Sequence, residues 1–211
     1  MATAIIDYGL GNLGSIHRAI EECGGDVFLA ESSAQLQEAE RIILPGVGAF
    51  GDGMKLLRQG GWVDPLREMV LDQKIPVLGI CLGMQLLASV GEEGGTHQGL
   101  GFIQGKVVLM QVGEKERLPH VGWNNIHKKR ECVLLKNIPD GADFYFVHSY
   151  HFQPQDASVV VATGDYASGF VAAVEERNVF GTQFHPEKSG PYGFQIIKNF
   201  LHYYGDEDSS C

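Results

Sequence analysis

The chain has 211 residues, and its 26 acidic side chains outnumber the 16 basic ones to give a formal net charge of −10. This length suits one domain with a full core, and the acidic charge argues against a surface that binds nucleic acid or anionic membranes. No apolar run is long enough to cross a bilayer and the first residues lack a signal-peptide pattern, so we expect a cytoplasmic protein. The four cysteines form no C-x-x-C pair, which favours reduced thiols over a disulfide framework.

Apolar runs that alternate with helical patterns predict an α/β fold, with a mostly parallel central sheet flanked by helices. Strands are predicted at 4–7, 27–30, 41–44 and just before Cys81, and helices at 15–23, 54–73 and 82–90, the second of them interrupted at 60–61. After residue 101 the pattern changes to an antiparallel β extension, with strands near 102–112, 124–127, 133–135, 144–150, 159–163, 170–174 and 179–184. A helix at 194–204 completes one domain over residues 1–204, and the acidic tail 205–211 is expected to be disordered.

A glycine-rich loop lies between the first predicted strand and the first predicted helix. Its residues 9–14 read G-x-G-x-x-G, and Glu31 follows the second strand, close to where a ribose-binding acid would be. This pattern is typical of dinucleotide sites, but it is equally typical of an ordinary tight loop between a strand and a helix. A loop of this kind can also face a partner.

The third predicted strand ends in Pro45-Gly-Val-Gly-Ala-Phe-Gly51, which has three glycines within six residues. Such a segment is either an ordinary flexible loop or exposed backbone that approaches a ligand closely. The carboxyl ends of parallel strands meet at one edge of a sheet, where ligands bind, so this loop and Cys81 are expected there together. We predict that the loop carries an oxyanion donor, which is typically worth about 10²–10³ in rate, and that its movement would switch the enzyme off.

The central motif is Gly79-Ile-Cys-Leu-Gly83, in which one glycine precedes the cysteine by two residues and another follows it by two. This G-x-C-x-G pattern is the cysteine counterpart of the serine elbow, a nucleophile on a tight turn between a strand and a helix. Small neighbours avoid collisions with the nucleophile and with an incoming substrate. We predict that Cys81 is a nucleophile and that the Leu82 N–H is directed toward an oxyanion. A single cysteine in an apolar run is also an ordinary core residue, so this prediction requires a base elsewhere in the chain.

The segment Leu118-Pro-His-Val-Gly-Trp-Asn124 contains proline and glycine and is expected to be exposed. A histidine and a tryptophan in such a segment are most often packing residues. An exposed tryptophan is equally typical of an anchor in a protein–protein interface.

The last predicted strand leads into Gln183-Phe-His-Pro-Glu-Lys188. Residues two apart on an extended segment face the same side, so His185 and Glu187 are expected to be paired. A carboxylate beside an imidazole orients the ring and stabilises its protonated form. Most histidines are structural, but Cys81, His185 and Glu187 each follow a predicted strand of one sheet. This order predicts a triad of nucleophile, base and orienting acid.

The motifs resemble those of a known family. Gly79-Ile-Cys-Leu-Gly-Met-Gln85 and Phe184-His-Pro-Glu-Lys-Ser189 are similar to motifs of the triad-type, class I glutamine amidotransferases. Four further segments resemble the subfamily of glutaminase subunits of imidazole glycerol phosphate synthases: Asp7-Tyr-Gly-Leu-Gly-Asn12, Pro45-Gly-Val-Gly48, Pro119-His-Val-Gly-Trp-Asn124 and Phe146-Val-His-Ser-Tyr150. Six motifs in the family's order extend over nearly the whole chain, which makes the resemblance specific.

The resemblance implies a function for each motif. Cys81 would attack the side-chain amide of glutamine and release ammonia, His185 would move the protons, and Glu187 would hold His185. The remaining implied positions are the oxyanion donors Val47 and Leu82, the glutamine-binding residues Gly48, Gln85, Glu93, Ser149 and Tyr150, and the partner-facing residues Asn12, His120, Trp123 and Lys188. The partner would be a separate (β/α)₈-barrel cyclase in a heterodimer, which uses the channelled ammonia to make imidazole glycerol phosphate and AICAR in histidine biosynthesis. No cofactor is implied, and no metal is expected because no His/Cys cluster has ligand spacing.

Three alternatives stay open at this point. A glutaminase that feeds a sugar amidotransferase of surface-polysaccharide biosynthesis would carry the same motifs, because the ammonia acceptor never touches this chain. A nicotinamide-binding protein would use residues 9–14 and Glu31. A stand-alone cysteine hydrolase or deglycase-like stress protein would need an acid near Cys81 on another loop.

Overall fold

The computed structural model describes residues 1–114 and 116–205 of the chain, so most of the predicted tail lies outside the described residues. Its strands are β1 Ala2–Ile6, β2 Asp26–Ala30, β3 Arg41–Leu44, β4 Val77–Ile80, β5 Val90–Gly91, β6 His97–Gln98, β7 Gly105–Leu109, β8 His120–Asn125, β9 His127–Lys128, β10 Asp143–His148, β11 Tyr150–Pro154, β12 Val160–Gly164, β13 Phe170–Glu176 and β14 Val179–Thr182. Its α-helices are α1 Leu13–Glu22, α2 Phe50–Gln59, α3 Val63–Arg67, α4 Leu82–Leu86 and α5 Gly190–Leu201. Short 3₁₀ helices occupy Ser33–Glu38, Ala157–Val159 and Pro186–Lys188, and a π-helical turn at Glu68–Asp72 continues α3.

The central sheet has eight strands in the order β2-β1-β3-β4-β14-β13-β12-β9. The first five of these run parallel, and β13, β12 and β9 add antiparallel pairs at one side. Two small sheets complete the fold, one of β8 and β10 and one of β11, β7, β5 and β6. The predicted α/β class, with a mostly parallel sheet and an antiparallel extension in the second half, is confirmed.

The two faces of the central sheet are covered by two separate apolar clusters. Neighbouring strand residues alternate between them: Ile5 and Ile43 belong to one cluster, and Ile6 and Ile42 belong to the other. This alternation follows from the strand period of two, and burial on both faces explains why the parallel strands are continuous apolar runs. None of the helices in the described ranges is both long enough and apolar enough to span a membrane.

The structure differs from the predicted elements at several places, and three of these bear on the core or the site. The predicted helix 82–90 ends at Leu86, because the chain then turns so that Val90 pairs with Lys106 of β7. The predicted strand at 133–135 is a turn in which Lys136 N donates to Val133 O at 3.2 Å, although Leu134 and Leu135 are fully buried. A short apolar run is buried in either case, so its composition does not distinguish a strand from a turn. The third difference, between β14 and α5, concerns the site and is described with it.

Candidate active site

Cys81 occupies the corner between β4 and α4, with φ 55° and ψ −110°. A positive φ is unfavourable for a residue with a Cβ, and here it turns the chain from strand to helix within one residue. The Cys81 N–H still donates to Thr182 O at 2.8 Å, so pairing with the neighbouring strand continues up to the corner. The predicted elbow is therefore present, and its cysteine is only 6% exposed.

The glycines of the elbow are required by close backbone packing. A Cβ on Gly83 would lie 1.8 Å from Leu44 O, and a Cβ on Gly79 would lie 2.6 Å from Gly83 O. The sequence pattern predicts that these glycines leave space for the nucleophile and its substrate. These distances give a different reason, because the atoms in the way belong to β3 and to the first turn of α4.

His185 follows β14, and its Nδ1 donates to Glu187 Oε1 at 2.9 Å. Burial by itself lowers the pKa of His185, but the hydrogen bond to Glu187 and the nearby Cys81 and Glu187 charges outweigh burial and raise this pKa to about 9. Because Nδ1 is used by Glu187, Nε2 is the ring nitrogen left for exchange of a proton with Cys81. Among the described residues, no partner forms a hydrogen bond of ordinary geometry with the buried Nε2. This arrangement suits transfer of a proton between the sulfur, the ring and a ligand.

The backbone of His185 is fixed by β10 and by Ser189. Its N–H donates to Tyr145 O at 3.0 Å, and its carbonyl accepts from Ser189 Oγ at 2.6 Å. Ser189 Oγ in turn accepts from Tyr145 N at 3.0 Å. The prediction of an extended segment here was wrong: Pro186–Lys188 is a 3₁₀ helix, and this turn brings His185 and Glu187 together.

A cavity of about 470 Å³ opens beside Cys81. A cavity of this size accommodates a small polar ligand such as an amino acid. Its walls come from the loop after β3, the elbow, the loop before β6 and the β10–β11 junction. The lining residues are Val47, Gly48, Ala49, Cys81, Leu82, Gln85, Glu93, Pro119, Val147, His148, Ser149 and Tyr150. All the residues predicted as oxyanion donors or glutamine-binding positions therefore lie around one cavity, with Cys81 in its wall.

The comparison with known families agrees with this geometry. The family model described as "Glutamine amidotransferase class-I" matches residues 4–203. The chain is a class I glutamine amidotransferase. Individual relatives also match this amidotransferase over nearly its whole length.

The relatives include proteins named imidazole glycerol phosphate synthase subunit HisH. The one from Desulfitobacterium hafniense (strain DSM 10664 / DCB-2) is 48% identical and covers 93% of this chain and 92% of its own. One from Campylobacter jejuni (strain RM1221), named HisH 1, is 44% identical over 94% of this chain and 98% of its own. One from Geobacter metallireducens is 46% identical and covers 95% of this chain and 98% of its own.

Solved structures share the fold of the amidotransferase at lower identity. The PurLQS structure from Thermotoga maritima has a TM-score of 0.74 at 19% identity and covers 96% of this chain and 98% of its own. A crystal structure described as a glutamine amidotransferase has a TM-score of 0.72 at 18% identity, with coverage of 95% and 99%. These likenesses support the fold assignment.

Two residues predicted to bind glutamine are held by internal hydrogen bonds. Glu93 Oε2 accepts from Phe50 N, in the first turn of α2, at 2.8 Å. Gln85 Nε2 donates to Tyr150 O at 2.9 Å and to Gln183 Oε1 at 3.0 Å. Since both amide hydrogens of Gln85 are used, only its Oε1 is left for contact with a ligand.

The loop after β3 is anchored at one end and open at the other. Tyr8 Oη donates to Pro45 O at 2.8 Å, and a Cβ on Gly46 would lie 2.6 Å from that hydroxyl. Burial, with a smaller contribution from the charge of Cys81, raises the pKa of Tyr8 far above its usual range, so the hydroxyl stays a donor. Val47 is 41% exposed, and Gly48 adopts φ 106° with open space around its Cα.

An apolar surface adjoins the cavity on the sheet of β8 and β10. The register pairs Val121 with Val147 and Trp123 with Tyr145, so these four side chains share the outward side, which we call the outer hairpin face. Trp123 is 58% exposed and meets the Tyr145 ring edge-on at 6.2 Å between centroids. Lys188 Nζ lies 5.9 Å from the centre of the Tyr145 ring.

The four residues predicted to face a partner are placed differently from one another. Asn12 and Lys188 are exposed, as is Trp123. His120 is only 4% exposed, so the expectation that its segment is exposed was wrong at this residue. Its ring stacks on Tyr166 at 4.0 Å between centroids, and its Nδ1 lies 3.3 Å from His148 Nε2. The alternation of β8 turns His120 inward and Trp123 outward.

The sequence reasoning missed three groups that contact the sulfur or line the cavity. Gln183 Nε2 donates to Cys81 Sγ at 3.8 Å, and Cys81 Sγ donates to Val147 O at 3.8 Å. His148 lines the cavity, and burial lowers its pKa to about 3. Val147 and His148 lie inside the recognised segment 146–150, and Gln183 directly precedes the recognised segment 184–189. The available signal at His148 and Gln183 was a polar side chain in a largely apolar segment, whereas the Val147 carbonyl gives no signal in the sequence.

The predicted glycine motif at 9–14 lies against the β3 loop. A Cβ on Gly11 would lie 3.0 Å from Pro45 Cβ, so the two loops pack closely. Gly14 is the second residue of α1 and has open space around it. Within the described ranges, no three His, Cys, Asp or Glu side chains are grouped so that they could hold a metal ion.

Proposed function

We propose that this amidotransferase is the glutaminase subunit of an imidazole glycerol phosphate synthase. The observation that carries the proposal is a cavity of about 470 Å³ whose walls hold Cys81 and every predicted glutamine-binding residue. His185 is paired with Glu187 at 2.9 Å, and Cys81 and Glu187 together raise the pKa of His185. Relatives with that name, at 44% identity or more over nearly the full length, support the choice of synthase.

In the first step, the Cys81 sulfur attacks the carboxamide carbon of glutamine. The carbon–sulfur bond forms as the carbonyl π electrons move onto oxygen, and the backbone N–H groups of Leu82 and Val47 are the donors for that oxyanion. His185, protonated beside a thiolate, gives its Nε2 proton to the departing nitrogen. The carbon–nitrogen bond breaks, ammonia leaves, and Cys81 holds a thioester.

In the second step, water attacks the thioester carbon. His185 Nε2 accepts a proton from the water as the new carbon–oxygen bond forms, and the carbon–sulfur bond then breaks. Glutamate leaves and the thiolate–imidazolium pair returns. Glu187 stabilises the imidazolium in both steps and keeps Nε2 directed at the reacting atoms.

The open end of the β3 loop is the proposed control point. The Val47 N–H acts as an oxyanion donor only in one orientation of its peptide, and glycine on either side lets the peptide rotate at little cost. Removing one oxyanion donor costs about 10²–10³ in rate. The chain without its partner is therefore expected to be nearly idle while the triad stays assembled.

The outer hairpin face is the proposed docking surface for the cyclase. It exposes apolar and aromatic side chains, which are typical of the centre of an interface. Val147 is part of this surface, and its carbonyl contacts the Cys81 sulfur at 3.8 Å. Ammonia released at Cys81 would therefore be separated from a partner docked on this surface only by strand β10. A (β/α)₈-barrel docked here would receive the ammonia directly, in a heterodimer in the cytoplasm.

The decisive experiment compares two nitrogen sources in the assembled complex. Cys81→Ala should abolish synthesis that depends on glutamine and leave synthesis from added ammonia intact, since the cyclase half is unchanged. Cys132→Ala is the matched control, because burial raises the pKa of the Cys132 thiol to about 12 and so keeps it an inert thiol. This control should retain both activities.

Three outcomes would count against the proposal. Loss of ammonia-dependent synthesis in Cys81→Ala would contradict a separate glutaminase half. Vigorous glutamine hydrolysis by the isolated wild-type chain would contradict control at Val47. If the chain fails to support imidazole glycerol phosphate synthesis but feeds ammonia to a sugar amidotransferase, the alternative partner is the correct one.

A further inference from the structure

A pair of buried amides lies directly behind the nucleophile. Gln183, just beyond the end of β14, is completely buried, and its Nε2 donates to Cys81 Sγ at 3.8 Å. Its Oε1 accepts from Gln85 Nε2 at 3.0 Å. A glutamine at a strand end inside the protein needs partners for both ends of its amide, and here one of the partners is the reactive sulfur.

The network fixes which way the Gln183 amide points. Gln85 Nε2 also donates to Tyr150 O at 2.9 Å, and a carbonyl only accepts, so Nε2 of Gln85 must be a donor in both contacts. The atom of Gln183 that faces Gln85 is therefore its oxygen, and the atom that faces the sulfur is its nitrogen. The orientation follows from hydrogen-bond accounting and leaves one N–H directed at Cys81.

The two polar contacts of the sulfur respond differently to loss of its proton. As a thiol, Cys81 Sγ donates to Val147 O at 3.8 Å and accepts from Gln183. As a thiolate it has no hydrogen for the Val147 carbonyl, so that contact becomes unfavourable. The N–H of Gln183 stays a donor and now faces a negative charge, which strengthens the bond. Of these two contacts, only the one from Gln183 favours the reactive form.

We propose that Gln183 is a positioning residue that holds the Cys81 thiolate through an amide hydrogen oriented by Gln85. The inference rests on the proposed role of Cys81 as nucleophile. Because Gln85 also holds the backbone of Tyr150, the same pair of amides fixes the sulfur relative to the cavity wall. Gln183 does not contact substrate or transfer a proton; it acts through the sulfur.

The test is the pH dependence of Cys81 alkylation in the isolated full chain. Gln183→Met keeps the length and volume of the side chain but removes the N–H. Iodoacetamide labelling of Cys81, followed by peptide mass spectrometry, should show a midpoint raised by about one pH unit, with about tenfold slower labelling at pH values below the wild-type midpoint, as expected for loss of one hydrogen bond to a charge. In the complex, kcat for glutamine should fall while KM changes little.

Thr182→Val is the control for damage to the same strand. Thr182 Oγ1 donates to Phe184 O at 3.0 Å inside the protein, so valine removes a buried hydrogen bond next to Gln183 without touching the sulfur. The control should lose stability and keep the wild-type alkylation midpoint. Gln183→Asn, which retains an amide too short to reach the sulfur, serves as a second variant if Gln183→Met does not fold.

An unchanged midpoint in a folded Gln183→Met or Gln183→Asn chain overturns the inference. So does an equal shift in Thr182→Val, which would indicate a general packing effect. Neither result bears on the proposed function, because that function is decided by Cys81→Ala in the complex and alkylation needs neither glutamine turnover nor a partner.

Discussion

Replacing Glu187 with glutamine should make the stability of the chain less dependent on pH. In the wild type, the pKa of His185 is raised from its ordinary 6.5 to about 9, because burial opposes the charged ring but Cys81 and Glu187 favour it more strongly. A rise of about 2.5 units corresponds to about 3 kcal/mol at 1.36 kcal/mol per unit. The charged ring therefore contributes appreciably to the free energy of unfolding.

The sign follows from the direction of the shift. Because the pKa of His185 is higher in the folded chain, its contribution is fully present below about pH 6.5 and is lost as the pH rises through about 9. Glu187→Gln keeps an oxygen that accepts from Nδ1 but removes the charge, so the pKa of His185 should fall. Less than half of the pH-dependent loss between pH 6.5 and 9 should then disappear, because Cys81 makes the larger contribution to the raised pKa of His185.

Urea unfolding at pH 6, 7.5 and 9 measures this effect directly. The exposed Glu38 provides a matched control, since Glu38→Gln makes the same change in charge away from any titrating partner. Wild type and Glu38→Gln should lose stability in parallel as the pH rises, and Glu187→Gln should lose less. Equal slopes in all three chains would refute the idea that Glu187 holds a charged ring.

Three further predictions concern the elbow, the surface and the buried histidine. Gly83→Ala should destabilise the chain by about 3 kcal/mol or more in urea unfolding, because the new Cβ would lie 1.8 Å from Leu44 O. Gly14→Ala is the control: Gly14 lies in α1 with open space around it, so alanine should stabilise the chain by about 0.5–1 kcal/mol. Trp123→Ala should weaken binding to the cyclase partner by about 2 kcal/mol or more in calorimetry and leave the fold unchanged by circular dichroism. His148→Asn should make the chain less sensitive to acid. Burial lowers the pKa of His148 to about 3, so between pH 6.5 and 3 this histidine binds a proton in the unfolded chain but not in the folded one, and the free energy of unfolding falls as the pH falls through this range.

The parts of the fold that sequence predicted well have strict backbone requirements. The elbow at Cys81 needs glycine on both sides, and no other residue type satisfies the close approach of Gly83 to Leu44. The parallel strands were readable because burial on both faces makes them uninterrupted apolar runs. The pairing of His185 with Glu187 was also correct, although a 3₁₀ turn and not an extended strand produces it.

The parts that sequence did not predict depend on contacts between distant segments. The inward position of His120 is set by its pairing with His148 across β8 and β10, which no local pattern reveals. The hydrogen bond from Gln183 to Cys81 joins residues 102 positions apart. Composition identifies a polar residue in an apolar run, but only the assembled sheet shows which group satisfies it.

The positive φ of Cys81 places the nucleophile at the corner but lowers the stability of the fold. With φ 55° and a Cβ, the folded chain bears a conformational cost of about 1–3 kcal/mol that the unfolded chain does not. Cys81→Gly would remove this conformational cost and stabilise the folded chain, but the protein would then lack its nucleophile. At this corner, selection for stability and selection for chemistry therefore favour different residues.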